Sequence, residues 1–208
     1  MTDLYRGREG WTRPLNEEIC YLTTTISSIL ISSFDIPITP TPTTMKIIDN
    51  FLPKTDFEVI QQFLLGDNFC WNLLPSIANN KQGLDQYQFV HTFFDISKPS
   101  LQNYSNFLTP LFSKLQAKYI LRVKANLRPR TTQGVLSDYH TDMDLNQQTA
   151  IFYLNTNNGY TKFQQNGLQD VPSVANRLLT FYGGLKHCGC SATDSNYRIV
   201  LNINYIPS

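Results

Sequence analysis

The segment SDYHTDMD (137–144) places an imidazole, His140, and a carboxylate, Asp142, two residues apart. On an extended strand, positions i and i+2 point to the same face, so the two side chains can take adjacent positions on one metal ion. The chain has 3 histidines. One of the others, His187 in KHCGC (186–190), lies 45 residues beyond Asp142 and can supply a third ligand from a distant strand. Two histidines and one carboxylate on one face of an octahedron leave three positions open, the arrangement used for oxygen chemistry at non-haem iron. An H-x-D spacing alone recurs by chance and carries little weight.

Two further residues sharpen the reading. Arg198 follows His187 by 11 residues and opens the last strong strand pattern. A guanidinium buried in a barrel needs an anion, because an unpaired desolvated charge is very costly. A dicarboxylate co-substrate on the metal would supply one. Tyr153, on the strand after the H-x-D, can donate its phenol to that same carboxylate. His91 in FVHTFFD reads as a satisfied core or surface histidine. Asp144 would share the face of His140 and Asp142 if the strand continued, and it reads as a supporting or surface carboxylate.

The elements that must position these residues follow from periodicity. Thr55 and Glu58 fit a capping box. Phe57, Ile60, Phe63 and Leu64 then share one helical face, and Gly66 ends the helix. A second helix is expected across 99–116, with Leu101, Tyr104, Leu108, Leu111 and Leu115 on one side and a kink at Pro110. From residue 119 the period changes to two. YILRVKANL (119–127) alternates Leu121, Val123, Ala125 and Leu127 with Arg122, Lys124 and Asn126. TAIFYLNT, YTKFQQ, RLLTFYGG and YRIVLNINYI follow, separated by turn residues. Helices followed by many short strands predict a mainly β fold with flanking helices, an antiparallel barrel or jelly roll.

Composition bounds the alternatives. The 208 residues carry a net charge of +1, so nothing in the balance demands a nucleic-acid partner. The stretch CYLTTTISSILISSF (20–34) is broken by Thr and Ser and is too short to cross a membrane. Charges scattered through the first 20 positions predict no signal peptide. The four cysteines form no C-x-x-C pair, which points to a reducing, cytoplasmic setting. PITPTPTT (37–44) reads as a stiff spacer. It divides residues 1–45, an appendage of unassigned role, from a main domain at 46–208.

The series RVKANLRP, YHTDMD, TAIFYLNTNNGYTKF, SVANRLLTFYGGLKHCGC and NYRIVLNINY resembles the Fe(II)/2-oxoglutarate-dependent oxygenases of the prolyl-4-hydroxylase-like superfamily, nearest their short phage-encoded and marine microbial members. The resemblance implies a double-stranded β-helix, a jelly roll of cupin-like form. It implies His140, Asp142 and His187 as iron ligands, and Arg198 and Tyr153 as holders of the distal carboxylate of 2-oxoglutarate. Asn126 matches a position that contacts the metal-side carboxylate in some relatives, and Asn202 should face the pocket beside Arg198. The implied cofactors are Fe(II), 2-oxoglutarate and dioxygen, with room for ascorbate. By family default the substrate is a peptidyl proline. A nucleobase, a small metabolite, or a non-catalytic binding role on the same barrel are the alternatives. Arg128 stands where many relatives have a tyrosine, and Cys188 where they often have Ser or Thr.

Overall fold

The computed structural model describes residues 45–75, 87–98, 106–143, 145–165 and 167–208. The expected appendage and spacer, Leu101, Tyr104 and Asp144 lie outside the described residues.

Ten strands and two helices make up the described chain. The strands are β1 (Lys46–Ile48), β2 (Asn72–Leu74), β3 (Gln88–Asp95), β4 (Ala117–Pro129), β5 (Gln148–Tyr153), β6 (Tyr160–Phe163), β7 (Val171–Pro172), β8 (Arg177–Tyr182), β9 (His187–Gly189) and β10 (Tyr197–Pro207). The helices are α1 (Lys54–Leu65) and α2 (Thr109–Leu115), the latter preceded by a 3-10 turn at Asn106–Leu108. A seven-stranded sheet runs β1-β8-β5-β10-β4-β3-β2, and a three-stranded sheet runs β7-β6-β9. Every pairing is antiparallel.

Alternation along β4 and β10 divides the core in two. On one face Val123, Ala125, Ile199, Leu201 and Ile203 pack with Phe57, Ile60 and Leu64 of α1 and Leu108, Leu111 and Leu115 around α2. Between the sheets Ile151, Tyr153, Leu179, Phe181 and Val200 meet Phe163 and Val171. The helices therefore cover one face of the large sheet, and its other face is free to line a site. Phe152 is fully buried on the helix side, with edge-to-face contacts to Phe51 and Phe57. Phe152→Ala should cost about 3–5 kcal/mol of stability, read as a lower denaturation midpoint with an unchanged slope.

Three local expectations are corrected. Pro53, not Thr55, precedes α1, and no side chain caps it. Thr55 is already inside the helix, so the capping box does not form. Phe63 is 45% exposed, although its ring meets Phe69 and Phe107. Pro110 falls in the first turn of α2, where its missing N–H would have had no partner anyway. It starts that helix and does not kink it.

Candidate metal centre

His140 and His187 form an isolated antiparallel bridge, each backbone N–H donating to the other's carbonyl at 3.0 Å. Residues directly opposite on paired strands project to one face, and the two imidazole centroids lie 4.9 Å apart. The segment does not continue as a strand. It bends at Asp142, where the carboxylate comes within 3.6 Å of His187 Nε2. The ligand atoms of His140, Asp142 and His187 all lie within 4.8 Å of one another. His187 itself opens the three-residue strand β9, between the end of β8 and Gly189.

Each ring is held in the tautomer a metal needs. His140 Nδ1 lies 3.0 Å from the Asp138 carbonyl, and His187 Nδ1 lies 3.0 Å from the Leu185 carbonyl. A carbonyl only accepts, so Nδ1 carries the proton and Nε2 presents its lone pair. Burial holds His187 below the usual imidazole value, against the pull of the Asp142 carboxylate.

Asp142 is fixed from three sides. Arg122 Nη2 donates to Oδ1 at 2.9 Å and Nη1 to the Asp142 carbonyl at 3.2 Å. The Asn202 amide donates to both carboxylate oxygens at 3.0 Å, and Asn204 reaches Oδ2 at 3.4 Å. Burial alone would raise this carboxyl. His187, Arg122 and the Asn202 hydrogen bond outweigh it and hold the group ionised, below the usual range. Oδ2 is left 3.6 Å from His187 Nε2.

The two nitrogens and one carboxylate oxygen suit a divalent first-row metal, and no cysteine joins the cluster among the described residues. Fixed tautomers and a clamped carboxylate are the surroundings such a metal requires. His140, Asp142 and His187 would hold it.

The same cavity, about 220 Å³, extends from this cluster to Arg198. Arg198 is 5% exposed. Its Nε donates to Ser173 Oγ at 2.8 Å and its Nη2 to Thr161 Oγ1 at 3.1 Å. No carboxylate pairs with it among the described residues, and burial pushes its guanidinium down from the usual value. Gly159 makes room for it: a Cβ there would stand 2.8 Å from Arg198 Cδ and 2.8 Å from the Cys190 carbonyl. Gly159→Ala should displace Arg198. The expected readout is a Tm below that of wild type.

Tyr153 is placed differently from its expectation. Its phenol is fully buried, donates to Thr161 Oγ1 at 2.8 Å and does not reach the cavity wall. Its ring lies under Arg198, 5.6 Å from Cζ. Thr161 stands at the wall in its place. Its oxygen already accepts from Tyr153 and Arg198, so its own hydroxyl proton is free to be donated. Asn126 lines the cavity. Asn202 lines it too, with its amide committed to Asp142. His91 Nδ1 lies 2.9 Å from the Cys70 carbonyl, and its ring packs on Phe69 and Phe93, apart from the metal cluster. Arg122, Thr161 and Ser173 escaped the sequence reading. Arg122 was within its reach, as the polar position two before Lys124 on an alternating strand.

No protein-family model matches the chain, and no curated protein matches it. Solved structures match its fold. A 2OG-Fe(II) oxygenase-family oxidoreductase from Burkholderia pseudomallei aligns with a TM-score of 0.55 at 11% identity, covering 99% of this chain and 96% of its own. A prolyl hydroxylase from Trichoplax adhaerens, in complex with a hypoxia inducible factor oxygen degradation domain peptide fragment, aligns with a TM-score of 0.54 at 16% identity, covering 94% of each chain. The non-heme alpha ketoglutarate dependent epimerase SnoN of nogalamycin biosynthesis aligns with a TM-score of 0.58 at 11% identity, covering 79% of this chain and 78% of its own. The chain has the mainly β fold of the Fe(II)/2-oxoglutarate oxygenases, prolyl hydroxylases among them, as the sequence reading expected.

Proposed function

We propose that the protein is an Fe(II)- and 2-oxoglutarate-dependent oxygenase that hydroxylates an unactivated C–H bond. One observation carries this reading. A His-Asp-His cluster and a buried arginine without an acidic partner among the described residues share a single cavity. A hydrolytic metal site has no need of the second feature. A non-catalytic barrel has no need to keep both.

The residues divide the work. His140, Asp142 and His187 hold the metal from one side. Arg122 and Asn202 orient the Asp142 carboxylate so that Oδ2 points at the ligand position. Arg198 and Thr161 receive the distal carboxylate of 2-oxoglutarate, with Tyr153 and Ser173 fixing them from behind. Asn126 lies on the β4 wall between the two ends. Bound iron, 2-oxoglutarate and dioxygen would supply the oxidising chemistry, releasing succinate and carbon dioxide.

Substrates do not follow from the fold. The neighbours include a hydroxylase bound to a peptide fragment and an epimerase from nogalamycin biosynthesis. A peptidyl proline remains the family default. We place the oxygenase domain at 46–208 and the protein in the cytoplasm. Among the described residues Cys70, Cys188 and Cys190 are unpaired, and no helix is long and apolar enough to cross a membrane.

The test is oxygen uptake and succinate formation by the full chain with Fe(II) and 2-oxoglutarate, coupled to a screen for candidate substrates that gain one oxygen atom. Succinate that depends on both additions supports the reading. Failure of 2-oxoglutarate to bind the metal-loaded protein overturns it.

A further inference from the structure

The cavity carries more positive charge than the reaction above can neutralise. Arg122, Lys124, Arg128 and Arg198 line it, and Asp142 is the one carboxylate in that lining among the described residues. Asp142 offsets Arg122. A divalent metal and a doubly negative co-substrate cancel in formal charge, and Arg198 anchors that co-substrate. Lys124 and Arg128 are left without an anion among the described residues.

Both sit on the cavity face of β4, which presents Arg122, Lys124, Asn126 and Arg128 in alternation. Across the ladder to β10, Lys124 stands opposite Asn202 at the metal end, and Arg128 stands opposite Arg198. Arg128 is only 5% exposed. Its Nη1 donates to the Gly189 carbonyl at 2.7 Å, while Nη2 is buried with no partner. Burial, and then the neighbouring Arg198, push this guanidinium down to about 10. Lys124 makes no hydrogen bond or ion pair among the described residues. Burial and Arg122 lower its ammonium, and Lys98 adds to this. The pull of Asp142 and Asp95 does not compensate. Asp95 is engaged by the N–H and hydroxyl of Ser97.

An unpaired buried donor on a charged group costs more than a neutral one, and buried charges persist where a partner or ligand meets them. A neutral proline side chain offers these two cations nothing. Building on the oxygenase reading, we propose that the molecule oxidised is a small anion, whose carboxylate or phosphate is held along β4 by Lys124 and Arg128. Such a molecule, lying beside the co-substrate, meets the Asn126 amide with a cation on either side.

The experiment uses the full chain loaded with redox-silent Zn(II) and saturated with 2-oxoglutarate. Two probes are titrated at constant ionic strength by calorimetry and thermal shift: sulfate, a tetrahedral stand-in for phosphate, and N-acetylaspartate, a carboxylate. At least one should bind with unit stoichiometry on top of 2-oxoglutarate, and the preferred probe identifies the anion class. Lys124→Met and Arg128→Gln should each weaken that binding about tenfold or more. Lys54→Met, on the exposed side of α1, should not. Lys124 is half-buried at the wall, so its variant tests the site even if Arg128→Gln folds poorly. The inference is overturned if neither probe binds the 2-oxoglutarate complex, or if binding survives Lys124→Met unchanged. Failure of 2-oxoglutarate itself to bind removes the oxygenase reading, and this inference with it.

Discussion

Asp142→Ala is expected to abolish binding of a stoichiometric divalent metal and to reduce succinate formation to the level without enzyme. The carboxylate is the only anion among the three ligands, so its loss removes both a bond and the charge that attracts a dication. The structure adds a second consequence. Arg122 Nη2 and the Asn202 amide would lose their acceptor in a buried site. Removing one partner of a buried ion pair typically costs about 3–5 kcal/mol, so the variant should also melt earlier than wild type. His187→Ala separates the two effects. It removes a ligand whose only described hydrogen bonds are to backbone carbonyls and N–H groups, leaving the Arg122–Asp142 pair intact. It should lose metal and turnover with a smaller loss of metal-free stability. Dialysis against chelator followed by metal analysis reads the first effect, and thermal melts of the metal-free proteins read the second. Wild-type metal content in either variant would contradict the assignment.

Arg198→Met should weaken 2-oxoglutarate by about 2–5 kcal/mol, the range for truncating one side of a buried hydrogen-bonded charge pair. That corresponds to roughly thirty-fold to several thousand-fold in apparent affinity. The ligand-free protein should respond in the opposite sense. Arg198 is a buried cation with only hydroxyl acceptors, Ser173 and Thr161. Replacing it with an apolar chain of similar volume relieves the desolvation cost, and replacing buried ion pairs by packed apolar side chains is known to be neutral or stabilising. The expected signature is a crossed pair. Without ligand, Arg198→Met melts at or above the wild-type temperature. With saturating 2-oxoglutarate, wild type gains stability by mass action and the variant gains little. A merely structural arginine would lower the melting temperature under both conditions.

Much of this site was legible in the chain. The H-x-D spacing, the later histidine and the arginine on the last strand are short-range patterns, and alternation along β4 and β10 sorted the wall from the core. What failed depended on tertiary packing. His140 and Asp142 were expected on one continuous strand, and in fact a cross-strand bridge to His187 and a bend bring them together. No period in sequence marks a one-residue bridge or the three-residue strand β9. Tyr153 was expected to donate to the co-substrate carboxylate because it lies on the strand after the H-x-D. Its phenol found Thr161 first, a contact between strands that spacing alone does not reveal. Thr55 had the sequence of a cap, but the cap position falls at Pro53, two residues earlier, and Thr55 is already inside α1. Arg122 was visible as an alternating polar residue, and only the fold shows that its partner is the Asp142 carboxylate.

The central claim is that three side chains from two distant segments of the chain bind one metal in the cavity that Arg198 lines. A crystal grown without oxygen in the presence of Fe(II) and 2-oxoglutarate tests it by anomalous diffraction at the iron edge. The account predicts a single strong peak at bonding distance, about 2.0–2.2 Å for nitrogen and oxygen ligands, from His140 Nε2, His187 Nε2 and Asp142 Oδ2. It also predicts density for a dicarboxylate reaching from that peak to Arg198. A peak that lacks any one of the three ligands, or a dicarboxylate bound away from Arg198, would contradict it.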